Sequence, residues 1–268
     1  MQHAHPYLLS RLCVIAPYAA ELGFFLDLDR LHVQGTHILP ALQNALTLWS
    51  VHITSASEPD HGQSLQRTQN RLLSQVQSQL ACAMSTVDAE PDPTIILHLI
   101  QTAVLLAYYM QRIGQVVGAR YYASGSWALG MVLKLHQSPY LVGSASEGES
   151  QPLQRGGGWA PTLGRLNICA FAFADCAKLA RALDGIEAEE RIRAFWAVYA
   201  LDRWFSAVGQ WPCQSLAMEG NAMTVPWPDS SADRMDEVSH NRFFVLTQLR
   251  SDLWFSLIGG ECGPASSQ

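Results

Sequence analysis

The chain has 268 residues, 49% of them hydrophobic and 15% charged, with a formal net charge of -6 at pH 7. That apolar share with so little net charge excludes a disordered chain and is enough for one large core or two smaller ones. Of the 17 basic residues only Lys134 and Lys178 are lysines, and no basic run tracks a phosphate backbone, so the acidic balance argues against a nucleic-acid-binding surface.

The N-terminal "MQHAHPYLL" lacks a basic n-region followed by a clean apolar run, so it does not read as a secretory signal, and the expectation is a soluble intracellular protein. His3 and His5 form an H-x-H that reads as a frayed terminus rather than a copper or nickel site. Over 62–84 the period is helical: Leu65, Leu72, Leu73, Val76, Leu80, Ala83 and Met84 share a stripe, with the glutamines and Arg67 and Arg71 away from it. "EPDPT" supplies an acid and a proline where a helix should begin, and a helix over 95–112 follows. Its apolar run, "IILHLIQTAVLLAYYM", is interrupted by His98, Gln101 and Thr102 and is shorter than the roughly 20 residues of a membrane span, so it reads as a buried helix. Gly114 and Gly118 mark its end. A further helix is expected over 119–136, with Ala119, Ala123, Ser126 and Gly130 as small residues that let a neighbour approach closely. The two form an αα-hairpin.

From 137 to 162 the pattern gives way to Gly, Ser and Pro, which predicts a long flexible loop. "RGGGW" in that loop has no strand before it and is no phosphate cradle. Helical pattern resumes over 163–183, 187–209 and 241–258. The six cysteines (Cys13, Cys82, Cys169, Cys176, Cys213 and Cys262) include no C-x-x-C, and Cys169 and Cys176 read as core thiols rather than a metal pair. No metalloprotease, P-loop or nucleophile-elbow motif occurs. The fold class is all-α: one domain over 1–268, an irregular bundle of paired antiparallel helices, solenoid-like in its αα-hairpins.

The stretch "EERIRAFWAVYALDRWFSAVGQWP" raises the sharpest question. At about 100° per residue, Arg191, Phe195, Val198, Asp202 and Phe205 share one stripe, and Trp196, Tyr199 and Arg203 a neighbouring one. Glu189 and Arg193 are spaced for an i,i+4 ion pair on a third strip. Asp202 and Arg203 point about 100° apart, so each is expected to find a partner on another element or on a ligand. Tyr108, Tyr109, Tyr121, Tyr122 and Trp127 crowd the hairpin and read first as packing, as His98 and His136 read first as core histidines. The sharper reading is an aromatic pocket involving Tyr121, Trp127, His136, Trp196 and Arg203.

These residues resemble the middle homology region of fungal-specific transcription factors. In that pattern an acidic-basic run precedes Phe-Trp, then Leu-Asp-Arg, a small residue and Gly-Arg-Pro; Glu190, Arg191, Arg193, Phe195, Trp196, Leu201, Asp202, Arg203, Ser206 and Pro212 match it. "MTVPWP" stands in the place of a later aspartate-valine-proline segment. The hairpin is similar to the family's apolar helix, glycine turn and alanine-rich helix ending in Leu-Gly-Leu-His, here Leu133, Lys134, Leu135 and His136. "HPYLLSRLCVIAPYAAEL" is similar to the segment that opens the region. Lys134 replaces a glycine, Gln210-Trp211 replaces Gly-Arg, and no aspartate precedes "TVPWP".

The resemblance implies a helical regulatory region of a nuclear transcription factor with no catalytic residues. It implies contacts with transcriptional co-regulators or another copy of the factor, and in some members a small apolar or aromatic effector. The family's zinc sits in a six-cysteine DNA-reading cluster that needs closely spaced thiolates, so no cofactor, no DNA contact and no membrane are expected for this chain, which reads as a shortened form. Two other readings stand beside it: a stand-alone interaction protein that modulates full-length factors, and a helical enzyme using a buried acid and histidine.

Overall fold

A computed structural model of the chain describes residues 6–33, 37–55, 62–85, 92–137, 182, 184–209, 211–215 and 225–226. Its helices are α1 (Pro6–Ile15), α2 (Leu28–Val33), α3 (Pro40–Ser55), α4 (Gly62–Ser85), α5 (Pro93–Arg112), α6 (Val116–Val132) and α7 (Gly185–Gly209), with a 3-10 turn at Ala16–Tyr18 after α1. No strand occurs among the described residues, and the fold is all-α. The expected loop beyond 137, the helical patterns over 163–183 and 241–258, and Cys169, Cys176 and Cys262 lie outside the described residues.

Two antiparallel hairpins form the body. In the first, Asn44 near the start of α3 donates to Gln79 late in α4 (2.8 Å), and Gln69 early in α4 donates to Ser55 at the end of α3 (3.0 Å). In the second, α5 and α6 pack along their lengths across a three-residue turn. Helix α5 is the hub and touches α3, α4, α6 and α7. That explains why its apolar residues do not keep to one face: from Ile96 to Met110 only Tyr108 escapes full burial. At 20 residues α5 is, by length and composition, long and apolar enough to cross a membrane, contrary to the expectation that the run is too short; in this fold it is mostly buried in the core.

Local chemistry sets the ends of these helices. Asp92 caps α5, accepting the Thr94 N–H at 2.9 Å, and Pro93 follows in the first turn, where its missing donor costs nothing. At the other end Gly114 takes φ 78°, the Gln115 N–H bonds the Met110 carbonyl, and the Gly114 N–H bonds the Gln111 carbonyl. That is a Schellman closure, which satisfies carbonyls the helix leaves open. Gly23 closes the turn after the 3-10 segment in the same way, with φ 63°. A Cβ at Gly23 would also stand 2.9 Å from the Tyr108 ring, so this turn needs glycine both for its backbone and for the close approach of α5.

Helix α6 departs from expectation. It starts at Val116 and stops at Val132, four residues short of the expected 136. Its small residues Ala119, Ala123, Ser126 and Gly130 are all buried, as a close helix contact requires. The stop comes from Lys134, the only described residue other than glycine with positive φ, at 52°. The Leu135 N–H bonds the Gly130 carbonyl (2.9 Å) and the Lys134 N–H bonds the Met131 carbonyl (3.0 Å), which completes another Schellman closure. Helix α4 departs in a subtler way. Leu73, Val76 and Leu80 face the core as expected, but so does Gln69, whose amide carbonyl accepts the Tyr109 hydroxyl at 3.4 Å.

A lysine in the left-handed region strains the backbone by about 1–2 kcal/mol. Lys134→Gly relieves that strain, offset in part by the extra freedom glycine brings to the unfolded chain. The expected outcome is a gain of about 1 kcal/mol in urea-unfolding free energy, with an unchanged helical circular-dichroism spectrum.

Candidate functional site

Helix α7 carries the acid and base that the sequence set side by side, and the structure separates their roles. Asp202 is 1% exposed, and its two carboxylate oxygens face different segments. Oδ1 accepts Arg120 Nη1 of α6 at 2.9 Å. Oδ2 accepts the Ser215 backbone N–H at 2.9 Å and the Cys213 thiol at 3.2 Å. Arg120 reaches further: its Nη2 donates to the Pro212 carbonyl at 2.8 Å, and its guanidinium lies 5.8 Å from the centre of the Trp211 ring. Ser206 donates to the Asp202 carbonyl, and Cys213 and Ser215 are in contact at 3.0 Å. One buried carboxylate thus joins α6, α7 and residues 211–215, in the geometry that makes a charge-assisted bond strong.

Arg203 behaves differently. It is half-buried, its Nε donates to the Tyr199 hydroxyl at 3.1 Å, and its guanidinium lies 5.2 Å from that ring's centre. Tyr199 sits edge-on to Trp196 with centroids 5.6 Å apart. Trp196, Tyr199 and Arg203 therefore form one continuous stripe on α7, and Trp196 Nε1 donates to the Pro226 carbonyl at 2.9 Å. The other residues of the expected pocket are spread over α6 and its exit. Tyr121 is exposed and edge-on to Tyr122, Trp127 is buried in the core, and His136 lies half-buried in the turn after Lys134. An open depression on α4 is lined by Arg71, Ser74, Gln75, Ser78 and Gln79, and not by Tyr121, Trp127, His136, Trp196 or Arg203.

The start of α7 holds a second polar junction. Asp184 caps the helix by accepting the Glu187 N–H at 2.7 Å. An ion pair in this turn joins Glu187 and Arg191, both buried and four residues apart. Glu190 accepts the Asp27 N–H (2.8 Å) and Arg30 Nη1 (3.4 Å), and Arg30 also reaches Asp184 at 3.2 Å. Burial pushes the Glu190 carboxyl above its ordinary value, against the pull of the Asp27 N–H and Arg30. Phe195 lies deep in the core between the two junctions.

The three polar interruptions of α5 serve the same region. Gln101 is fully buried and clamps the loop before α2, accepting the Phe25 N–H at 2.8 Å and donating to the Gly23 carbonyl at 3.3 Å. Thr102 bonds back to the His98 carbonyl at 2.7 Å. His98 is 3% exposed, and its Nδ1 has no hydrogen-bond partner. Desolvation lowers its pKa to about 4; Arg30 adds to that and Asp92 opposes it.

Arg120, Gln101 and Glu187 are the residues sequence reasoning missed. Arg120 left one signal, as the single charge within the small-residue helix α6. Gln101 left another, as an amide inside an apolar run. Glu187 left none beyond its spacing to Arg191. No protein-family model, no curated protein and no solved structure matches the chain.

Two outcomes follow from these charges. Asp202→Ala leaves Arg120 without its partner and strips the Ser215 N–H of its acceptor, and should cost about 3–5 kcal/mol in urea unfolding. For His98, the folded pKa lies below the unfolded value, so between the two the unfolded chain holds the proton and the folded chain does not. Stability is therefore lost as pH falls, by about 3 kcal/mol between about pH 6.5 and about pH 4. Glu190, shifted the other way, gains stability on acidification, so the measurement is a difference. The melting temperature of His98→Leu should fall less than that of the wild type over this range.

Proposed function

We propose that the chain is a regulatory domain of a fungal transcription factor, acting in the nucleus through contacts within the factor or with other proteins and catalysing no reaction. The observation that carries this reading is how the residues of the family resemblance are used. Glu190 ties α7 to the α2 region, Arg191 pairs with Glu187, Phe195 fills the core, and Asp202 gathers α6 and the Pro212 segment. The motif's two buried carboxylates, Glu190 and Asp202, are used to dock α7 against neighbouring segments, which is what a scaffold needs and an acid-base centre does not.

Lys134 adds support. The family's Leu-Gly-Leu-His element has glycine where this chain has lysine, and this position has the positive φ that favours glycine. On this reading the departure is a strained substitution at a position where the family's glycine would be at ease. The partners that fit this reading are co-regulators or another copy of the factor. A small apolar or aromatic effector, if one is used, would find its aromatic surface along Trp196 and Tyr199. Zinc belongs, on this reading, to the DNA-reading cluster of such factors and not to these helices.

A fusion assay tests the proposal. The chain is placed between a heterologous DNA-binding domain and an activation domain in a fungal host. Reporter output should differ from that of an inert spacer of equal length, and Asp202→Asn should reverse the difference. Outputs matching the spacer fusion for both forms, with both proteins present at equal levels, would count against a regulatory role.

A further inference from the structure

The helical part of α7 and the chain that follows it are held by different forces. Phe195, Val198, Leu201 and Phe205 are buried in the common core, so α7 cannot leave without exposing much apolar surface. Residues 211–215 have little of this. Pro212 is exposed, Trp211, Cys213 and Gln214 are half-buried, and Ser215 is the only residue of the five that is fully buried. One apolar anchor, the partly buried Trp211 ring, packs against the core, and the rest of the hold is polar and converges on two side chains: Asp202 takes the Ser215 N–H and the Cys213 thiol, and Arg120 takes the Pro212 carbonyl and lies against Trp211.

We propose that residues 211–215 form a strap that detaches from α6 and α7 while the helical bundle stays folded. The bond between Arg120 Nη1 and Asp202 Oδ1 does not involve the strap, so it persists when the strap opens and keeps the two helices docked. Neither charge is then left buried without a partner, which is the usual obstacle to opening such a site. Water replaces the remaining bonds, because Arg120 is already 14% exposed. A separate anchor, Trp196 Nε1 on the Pro226 carbonyl, tethers the chain on the far side of the strap. Closed, the strap occupies from within a pair of groups that reads one backbone N–H and one backbone carbonyl. Open, it releases both groups. Local openings of this kind occur where few apolar contacts hold a segment. The inference stands on these contacts and does not depend on the transcriptional reading.

Cys213 is the reporter. Its thiol is covered by Asp202 and Ser215 in the closed strap, whereas Cys13 and Cys82 are exposed and serve as internal references. The wild-type chain is alkylated with iodoacetamide and each cysteine is followed by mass spectrometry across urea concentrations below the unfolding transition. Cys213 should react more slowly than the references, at a rate that does not climb with urea. Trp211→Ala, which leaves the Arg120–Asp202 bond in place, should raise that rate about tenfold or more with little change in melting temperature. A Cys213 rate that rises with urea as steeply as global unfolding would overturn the strap, because the segment would then leave only with the whole fold. A rate equal to that of the references, or one unchanged by Trp211→Ala, would overturn it as well.

Discussion

A carboxylate that is almost wholly removed from water must be paired, and Asp202 meets that requirement by drawing Arg120 from a helix that lies 82 positions earlier in the chain. Much of the C-terminal half of the described structure follows from that pairing. It sets the register of α7 on α6, because an arginine near the start of one helix has to meet an aspartate near the end of the other. It also leaves Asp202 one free oxygen and Arg120 one free arm, and residues 211–215 are recruited to fill both. The bond is stronger than a surface ion pair because low local dielectric favours it, and more exacting because removing either partner leaves a charge stranded.

The same economy governs the buried polar groups of α5. A helix enclosed by four neighbours should be apolar throughout, yet α5 carries His98, Gln101 and Thr102 in its core-facing turns. Gln101 supplies the donor and acceptor that the turn around Gly23 to Phe25 needs, so a buried amide replaces water for a loop pressed against the core. Thr102 satisfies itself on its own helix. His98 is the exception: it keeps an unpartnered nitrogen and stays neutral because charging it there is too costly.

Much of this is legible in the sequence. The stripe on α4, the Asp92 and Pro93 start of α5, its Gly114 stop and the small-residue face of α6 are local patterns, and local patterns survive into structure when tertiary forces agree with them. The errors have equally physical origins. Helix α6 looked four residues too long because a lysine does not advertise a left-handed turn; only the resemblance to a glycine-bearing element marked Lys134, and its conformation is an outcome of the Gly130 and Met131 closures. Gln69 looked like a surface residue because periodicity assigns polar side chains outward, whereas the Tyr109 hydroxyl supplies a buried partner that spacing cannot show. The need of Asp202 for a cation was evident, but the identity of Arg120 was not. A bond across that much sequence leaves no periodic trace. Arg203 also lies over the Tyr199 ring on its own helix, a contact that its adjacency to Asp202 does not show.

Helix α7 is fastened at its two ends to different parts of the fold. Its first turns bind the α2 region through Asp27, Arg30, Asp184 and Glu190, and its last turns bind α6 through Arg120. Between these junctions Phe195, Val198 and Leu201 pack into the core, and Trp196 Nε1 donates to the Pro226 carbonyl. Directional bonds at both ends of α7, with apolar packing between them, fix its place against two different parts of the fold.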